Sequence, residues 1–119
     1  MNDAVAALQS SAKAYDDALN LALAGTTVPD SAAKTDLVLL AAEHTLTTPT
    51  GLPRRPWYRH QLYAPGFYTG YGVKTMPYIR EAIEQRNWEE ARTGIATVAH
   101  CLLAYRTQID AARMALAAK

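Results

Sequence analysis

The chain has 119 residues, of which 50% are hydrophobic, so it can bury roughly 65% of its unfolded surface in one core, and we expect a single domain over residues 1–119. Twelve Lys and Arg against eleven Asp and Glu give a net charge of +1, and the scattered basic residues argue against a nucleic-acid interface built on phosphate contacts. No apolar run approaches the length of a membrane span, and one cysteine with three histidines in no ligand spacing argues against a metal site.

Apolar residues at steps of three and four predict a first helix from about Ala4 to Ala24. The alanine-rich filling between them favours helix over strand, and Gly25 suits the left-handed conformation just past a helix end. The predicted stripe consists of Val5, Leu8, Ala12, Tyr15, Leu19 and Ala22.

A second helix is expected after Thr27, whose hydroxyl can accept a hydrogen bond from the first turn, with Pro29 inside that turn. Four successive apolar residues at 37–40 predict that this helix is buried on more than one side. Two prolines and a glycine within residues 47–53 then stop it.

The segment Gly51–Thr75 is the unusual part of the chain, because it combines prolines and glycines with six of the ten aromatic residues. A structureless loop of this length is uncommon in a compact domain, and its aromatic content predicts that packing orders it. The aromatic residues are Trp57, Tyr58, Tyr63, Phe67, Tyr68 and Tyr71.

Thr75 offers a cap for a short third helix that enters through Pro77 and ends near Arg86, and Asn87 offers a cap for the last helix. The apolar stripe of the last helix is Trp88, Ala91, Ile95, Val98, Leu102, Tyr105, Ile109, Ala112 and Leu116. Such spacing is typical of antiparallel helices packed in a bundle. We therefore predict an all-α four-helix bundle with a long ordered aromatic- and proline-rich loop between helices 2 and 3.

Residues 51–65, which read Gly-Leu-Pro-Arg-Arg-Pro-Trp-Tyr-Arg-His-Gln-Leu-Tyr-Ala-Pro, closely resemble the C-terminal dimerisation domain of the glutamate carboxypeptidase II and transferrin receptor family. The Met76-Pro77 step into the third helix and the order of the helices extend the resemblance over nearly the whole chain. It implies a domain taken from a longer peptidase-like chain, with a homodimer and the parent's peptidase domain as partners. It also implies that zinc belongs to that peptidase domain and that this chain holds no cofactor and no catalytic residue.

The resemblance implies a substrate contact at Gly70 and Tyr71, where the family carries a Lys-Tyr pair that binds the last residue of the substrate. A phenol at Tyr71 can still donate a hydrogen bond to a carboxylate, whereas Gly70 cannot supply the charge-assisted contact of an ammonium. Lys74 is close in sequence but out of register. The resemblance also implies that Tyr68 and Tyr71 pack against the peptidase domain or line its substrate pocket.

Within the loop, Arg59, His60 and Tyr63 are expected to anchor the chain through hydrogen bonds rather than to catalyse a reaction. The Arg54-Arg55 pair is expected to be solvated or to form salt bridges to another domain. On the last helix, the side opposite the stripe carries Ala99, Leu103 and Arg106, and we expect the dimer interface there, with a contribution from the first helix.

Two alternative functions remain open at this point. The family contains members without a metal site that act by binding other proteins, so the chain could be a helical protein-binding domain of a receptor-like parent. A small independent hydrolase that uses His60 with Tyr63 or Tyr71 is the other alternative.

Overall fold

The computed structural model describes residues 1–25 and 31–117, and most of this part is helical. The elements, in chain order, are helix α1 (Asn2–Leu23), helix α2 (Ala32–Ala42), a 3-10 helix (Glu43–Leu46), strands β1 (Tyr63–Pro65) and β2 (Val73–Thr75), helix α3 (Pro77–Glu84) and helix α4 (Trp88–Ala117). Four helices in a mainly helical chain confirm the predicted class at this coarse level. The predicted first turn of the second helix, Thr27 and Pro29, lies outside the described residues.

The two strands were not predicted from the sequence. They pair antiparallel in the register Tyr63 with Thr75, Ala64 with Lys74 and Pro65 with Val73. Each strand has three residues, which is too short for alternation to be recognised in a sequence. The segment predicted as one long loop therefore contains a small sheet close to its C-terminal end.

The backbone divides into two compact units. The loop unit comprises Met1 and Leu46–Cys101, and the helical unit comprises Asn2–Thr45 and Leu102–Lys119. Buried apolar side chains of the loop unit are Leu46, Leu52, Ala64, Ala82, Ala91, Val98 and Cys101. Those of the helical unit are Ala4, Ala42, Leu102, Ile109, Ala112 and Ala115.

Most residues of the stripe predicted for helix α4 are buried or half-buried, but two of them are exposed. Trp88 is 56% exposed and Ile95 is 38% exposed, whereas Val98 is completely buried. The reason at Ile95 is that its neighbour Gly94 faces inward, so close to Tyr78 that a Cβ atom there would lie 2.9 Å from the ring. The close approach of Tyr78 to Gly94 therefore sets which side of α4 faces inward in this turn. The pattern of apolar residues in the sequence does not reveal this contact.

Helix α2 differs from its prediction. Leu37 and Leu40 are 69% and 74% exposed, while Thr35 and Ala42 are buried. The helix therefore buries one side within this chain, and the expectation of burial on more than one side is wrong for the structure as described.

Helix α3 begins differently from the prediction. Thr75 lies in β2 and makes no capping hydrogen bond, and the residue before the helix is Met76 in the left-handed conformation (φ 45°). The Met76 N–H donates to the Leu62 carbonyl, and Pro77 takes the first helical position, where its missing N–H costs nothing.

The end of α3 forms a Schellman motif that leads directly into α4. The Arg86 N–H donates to Ile83 and the Asn87 N–H donates to Ala82 at 2.8 Å, with Arg86 left-handed at φ 57°. Asn87 then caps α4 as predicted, because its Oδ1 accepts from the Glu90 N–H at 3.1 Å. Asn87 thus helps to cap the C-terminal end of α3 and also caps the N-terminal end of α4.

Replacing Arg86 with glycine is expected to raise the free energy of unfolding by about 1 kcal/mol, because glycine adopts a positive φ without a Cβ penalty. Urea unfolding of the chain measures the change. The matched control is Gln85→Gly, one residue earlier in the right-handed conformation (φ −85°), which should lower stability by roughly 0.5–1 kcal/mol. Equal destabilisation by both variants would contradict the assignment.

Candidate functional site: the aromatic loop

The motif that starts the loop folds into a compact turn. Gly51 has φ 66°, and a Cβ atom added there would overlap the Pro56 carbonyl. Leu52 is 2% exposed, and its N–H donates to the Tyr58 carbonyl at 2.9 Å. Only glycine fits the first position of this turn, which explains the Gly-Leu-Pro start of the motif in physical terms.

A buried ion pair lies under this turn. The Nη2 atom of Arg55 is 2.9 Å from Oε1 of Glu81, and the two side chains are 3% and 4% exposed. The same Glu81 oxygen accepts a hydrogen bond from the Phe67 N–H at 2.9 Å. The Glu81 carboxylate on helix α3 therefore binds both the motif turn, through Arg55, and the segment between β1 and β2, through Phe67.

The rest of the Arg55 guanidinium lies near an aromatic face. Its Nε and Nη1 atoms are buried and make no hydrogen bond within the described residues, and its Cζ atom is 5.6 Å from the centroid of the Phe67 ring. The expected solvated or interdomain role of Arg55 is therefore wrong, because this side chain is buried in the loop unit. The sequence carries no signal for it, since nothing in it pairs Arg55 with a residue 26 positions later.

Arg54 is also paired within the chain. Its guanidinium donates two hydrogen bonds to the Glu90 carboxylate, at 2.8 and 3.0 Å. The hydrogen bond to Glu90 raises the pKa of Arg54, against a lowering by desolvation. Since Glu90 also accepts from the Asn87 side chain at 3.1 Å, the turn is tied to the first turn of α4.

The segment between β1 and β2 is closed at its base and open at its tip. The Gly66 N–H donates to the Gly72 carbonyl at 3.0 Å, and the Thr69 hydroxyl donates to the same carbonyl at 3.3 Å. Gly70 at the tip has φ 61° with open space beside it. The Tyr71 side chain is fully exposed, so this tyrosine projects from a hydrogen-bonded base.

Lys74 does not extend toward the tip. It is 8% exposed, and its Nζ atom is 2.6 Å from a carboxylate oxygen of Glu84. Lys74, Arg54 and Arg55 are thus each paired with a carboxylate of α3 or α4. The exposed groups of the loop are mainly aromatic, with Tyr68 at 70%, Tyr71 fully exposed and Phe67 at 41%.

The three residues predicted as anchors have the following contacts. The Nδ1 atom of His60 accepts from the N–H groups of Leu62 and Tyr63 at 3.2 and 3.3 Å, and the His60 and Tyr63 rings are 4.1 Å apart. The Arg59 carbonyl accepts from the Gln61 side-chain amide at 2.9 Å. Because Nδ1 of His60 accepts hydrogen bonds from backbone N–H groups, these contacts do not favour His60 as the general base of an independent hydrolase.

The three residues predicted for a dimer interface differ in exposure. Leu103 is 42% exposed, and Ala99 is half-buried. Arg106 donates from Nε to the Ser11 hydroxyl at 3.2 Å and lies 3.4 Å from Asp110. The arginine is therefore engaged within the helical unit, and the interface role of all three residues stays a prediction.

The described residues contain neither a candidate metal-binding cluster nor a candidate membrane-spanning helix. No three His, Cys, Asp or Glu side chains in this part of the chain are grouped closely enough to hold a metal ion. Among the described helices, none is long and apolar enough to cross a membrane.

Residues 1–110 match the transferrin receptor-like dimerisation domain family. The chain belongs to this family. It is 35% identical over 71 residues to "Probable glutamate carboxypeptidase LAMP1" of Arabidopsis thaliana, an alignment that covers 54% of this chain and 10% of that protein. It is 51% identical over 37 residues to "Probable glutamate carboxypeptidase" of Arthroderma benhamiae, with 31% of this chain and 5% of that protein covered.

This dimerisation domain thus spans a tenth or less of the length of these two curated relatives. The family match confirms the resemblance drawn from the Gly-Leu-Pro and Tyr-Ala-Pro motifs.

Breaking the buried pair is expected to destabilise the domain strongly. Glu81→Gln leaves the Arg55 cation buried without a counter-charge, and we expect the free energy of unfolding to fall by about 3 kcal/mol. The double variant Arg55→Met with Glu81→Gln should recover a large part of that loss, because it removes the unpaired charge. Urea unfolding of Glu81→Gln, of Arg55→Met and of the double variant gives the coupling free energy between the two side chains.

The control is Asp17→Asn, which breaks the exposed Lys13–Asp17 pair on α1 and should leave the urea midpoint nearly unchanged. Additive effects of the two substitutions at positions 55 and 81 would show that the pair is not coupled.

Proposed function

We propose that this domain mediates homodimer assembly of a glutamate carboxypeptidase-like zinc metallopeptidase and contributes a loop to its substrate pocket. The match of residues 1–110 to a dimerisation-domain family carries this proposal. The names of the two relatives support a peptidase as the parent protein. The four helices would then pack as one bundle, with the aromatic loop at one end.

The geometry of the loop supports its role in the pocket. Its base is held by the Phe67 N–H on Glu81, by the β1–β2 pairing and by the Lys74–Glu84 ion pair. Its tip carries Tyr71 in full exposure beside Gly70. A side chain on an ordered base binds a ligand with less loss of conformational entropy than one on a mobile loop.

Tyr71 is the residue proposed to bind substrate. Its phenol can donate a hydrogen bond to the terminal carboxylate of a peptide, and Gly70 leaves room beside the ring. His60 and Tyr63 are proposed to anchor the chain before β1 through the Nδ1 hydrogen bonds and the ring contact, together with the Arg59 carbonyl.

The chemistry of bond cleavage would come from elsewhere in the parent protein. We propose that other domains hold the zinc ions, and bound zinc would supply Lewis-acid activation of the scissile carbonyl and of a water molecule there. The part of this chain that the structure describes offers no group of ligands for them. The role that we assign to the domain is to position subunits and substrate.

The test uses the full-length parent protein and a series of dipeptides. Tyr71→Phe should raise KM by roughly 10-fold, the effect expected for loss of one hydrogen bond to a charged group, with kcat changed little because the bond-breaking groups lie elsewhere. Tyr58→Phe, at an exposed tyrosine of the motif turn, is the matched control and should leave KM unchanged.

An unchanged KM in Tyr71→Phe would contradict the pocket role of the loop. Absence of any hydrolysis by the wild-type parent, with zinc supplied, would contradict the peptidase role and favour the receptor-like alternative.

A further inference from the structure

The segment between β1 and β2, which we call the hairpin tip (residues 66–72), carries no charged side chain. Phe67, Tyr68 and Tyr71 are aromatic, Thr69 is polar, and the other three residues are glycines. The Thr69 hydroxyl donates to a backbone carbonyl within the tip at 3.3 Å. The tip therefore offers a ligand three aromatic rings, two of which carry a phenol hydroxyl.

Lys74 is the one charged residue within 63–76, and it lies on the inner face of the hairpin. In the β1–β2 register it pairs with Ala64, and both residues are buried. Its side chain passes the base of the tip, since a Cβ atom added to Gly66 would lie 3.5 Å from its Cε atom. Its Nζ atom ends 2.6 Å from the Glu84 carboxylate. A lysine held in this way adds no positive charge to the tip.

Two guanidinium groups lie near the Phe67 ring, and both are neutralised. The Cζ atoms of Arg54 and Arg55 are 5.8 and 5.6 Å from the ring centroid. Arg54 donates two hydrogen bonds to Glu90. Arg55 is buried against Glu81. A carboxylate in contact with a cation cancels most of the attraction that the cation would exert on a nearby anion, so neither arginine makes the tip attractive to a negative charge.

We propose that the hairpin tip selects peptides that end in an uncharged apolar or aromatic residue over peptides that end in an acidic residue. The inference rests on the proposed function, since it names the substrate class of the pocket to which the loop contributes. Aromatic rings bind apolar and aromatic groups through buried area and ring contacts. A carboxylate side chain that enters such surroundings loses hydration without gaining an ion pair.

The tip separates two tasks in substrate binding. The hydroxyl of Tyr71 is proposed to bind the terminal carboxylate, which every peptide carries, so this contact does not discriminate between terminal residues. The rings of Phe67 and Tyr68 are 41% and 70% exposed, and they hold each other edge to face with centroids 4.8 Å apart. These two rings are the groups that we expect to discriminate between terminal side chains.

The experiment measures kcat/KM of the full-length parent protein, with zinc supplied, for the dipeptides Ala-Glu, Ala-Gln, Ala-Leu and Ala-Phe. Glutamine has the shape of glutamate without its charge. The wild type should favour Ala-Gln over Ala-Glu by about 10-fold or more, the effect expected when a charged group is buried without a partner. It should favour Ala-Leu and Ala-Phe over Ala-Gln, because their side chains add apolar contact with the rings.

Gly70 allows a matched pair of variants at the tip. Its φ is 61°, and a Cβ atom added there would have open space around it. Gly70→Lys adds a cation, whereas Gly70→Gln adds a long side chain and the same backbone strain without charge. Gly70→Lys should raise kcat/KM for Ala-Glu relative to Ala-Gln by about 10-fold. Gly70→Gln should change kcat/KM for both peptides by the same factor.

A third variant tests the rings directly. Tyr68→Ala should lower kcat/KM for Ala-Phe relative to Ala-Gln by roughly 10-fold, because the contact between rings is lost. Circular dichroism checks that all three variants fold.

The outcomes separate this inference from the proposed function. A wild-type parent that cleaves Ala-Glu as well as Ala-Gln, or Ala-Gln better than both apolar peptides, overturns the inference. The same holds if Gly70→Lys and Gly70→Gln give the same ratio of Ala-Glu to Ala-Gln cleavage. In these cases a raised KM in Tyr71→Phe would leave the pocket role of the loop standing. A parent that hydrolyses none of the dipeptides overturns both.

Discussion

The ordered state of the loop unit depends on the carboxylate of Glu81. Removing a carboxylate and a guanidinium from water costs several kcal/mol for each ion, and only close pairing with additional hydrogen bonds offsets that cost. Here the Arg55 guanidinium and the Phe67 N–H both donate to one Glu81 oxygen, each at 2.9 Å. The three groups come from the motif turn, the segment after β1 and helix α3. Separating the turn from α3 would leave a buried charge unpaired, and moving Phe67 away would remove one hydrogen bond from the carboxylate.

The same principle explains what the loop can offer to a ligand. Arg54, Arg55 and Lys74 lie around it, and each is neutralised by Glu90, Glu81 or Glu84. These three positive charges are therefore paired within the chain and stabilise the fold of the loop unit. The tyrosines at the tip remain exposed, so recognition by the tip would rely on aromatic contact and neutral hydrogen bonding.

The two units bury side chains of different sizes. The loop unit buries Leu46, Leu52 and Val98, as an independent core would. The helical unit buries mostly small residues on α1 and α2, and Leu37 and Leu40 stay in contact with solvent. Small residues allow helices to approach closely, and they leave the larger side chains free for contacts beyond the chain.

The sequence by itself determined the four helices, the Asn87 cap, most of the α4 stripe and the family, because capping, helical periodicity and a fifteen-residue motif are local signals. The tertiary structure decided the Arg55–Glu81 pair, the β1–β2 register and the burial of Lys74, since each depends on residues far apart in sequence that meet only after folding. It also decided that Gly94 rather than Ile95 faces inward and that α2 exposes its leucines. An apolar residue marks a surface to be covered, but the sequence does not say whether the chain itself or a partner covers it.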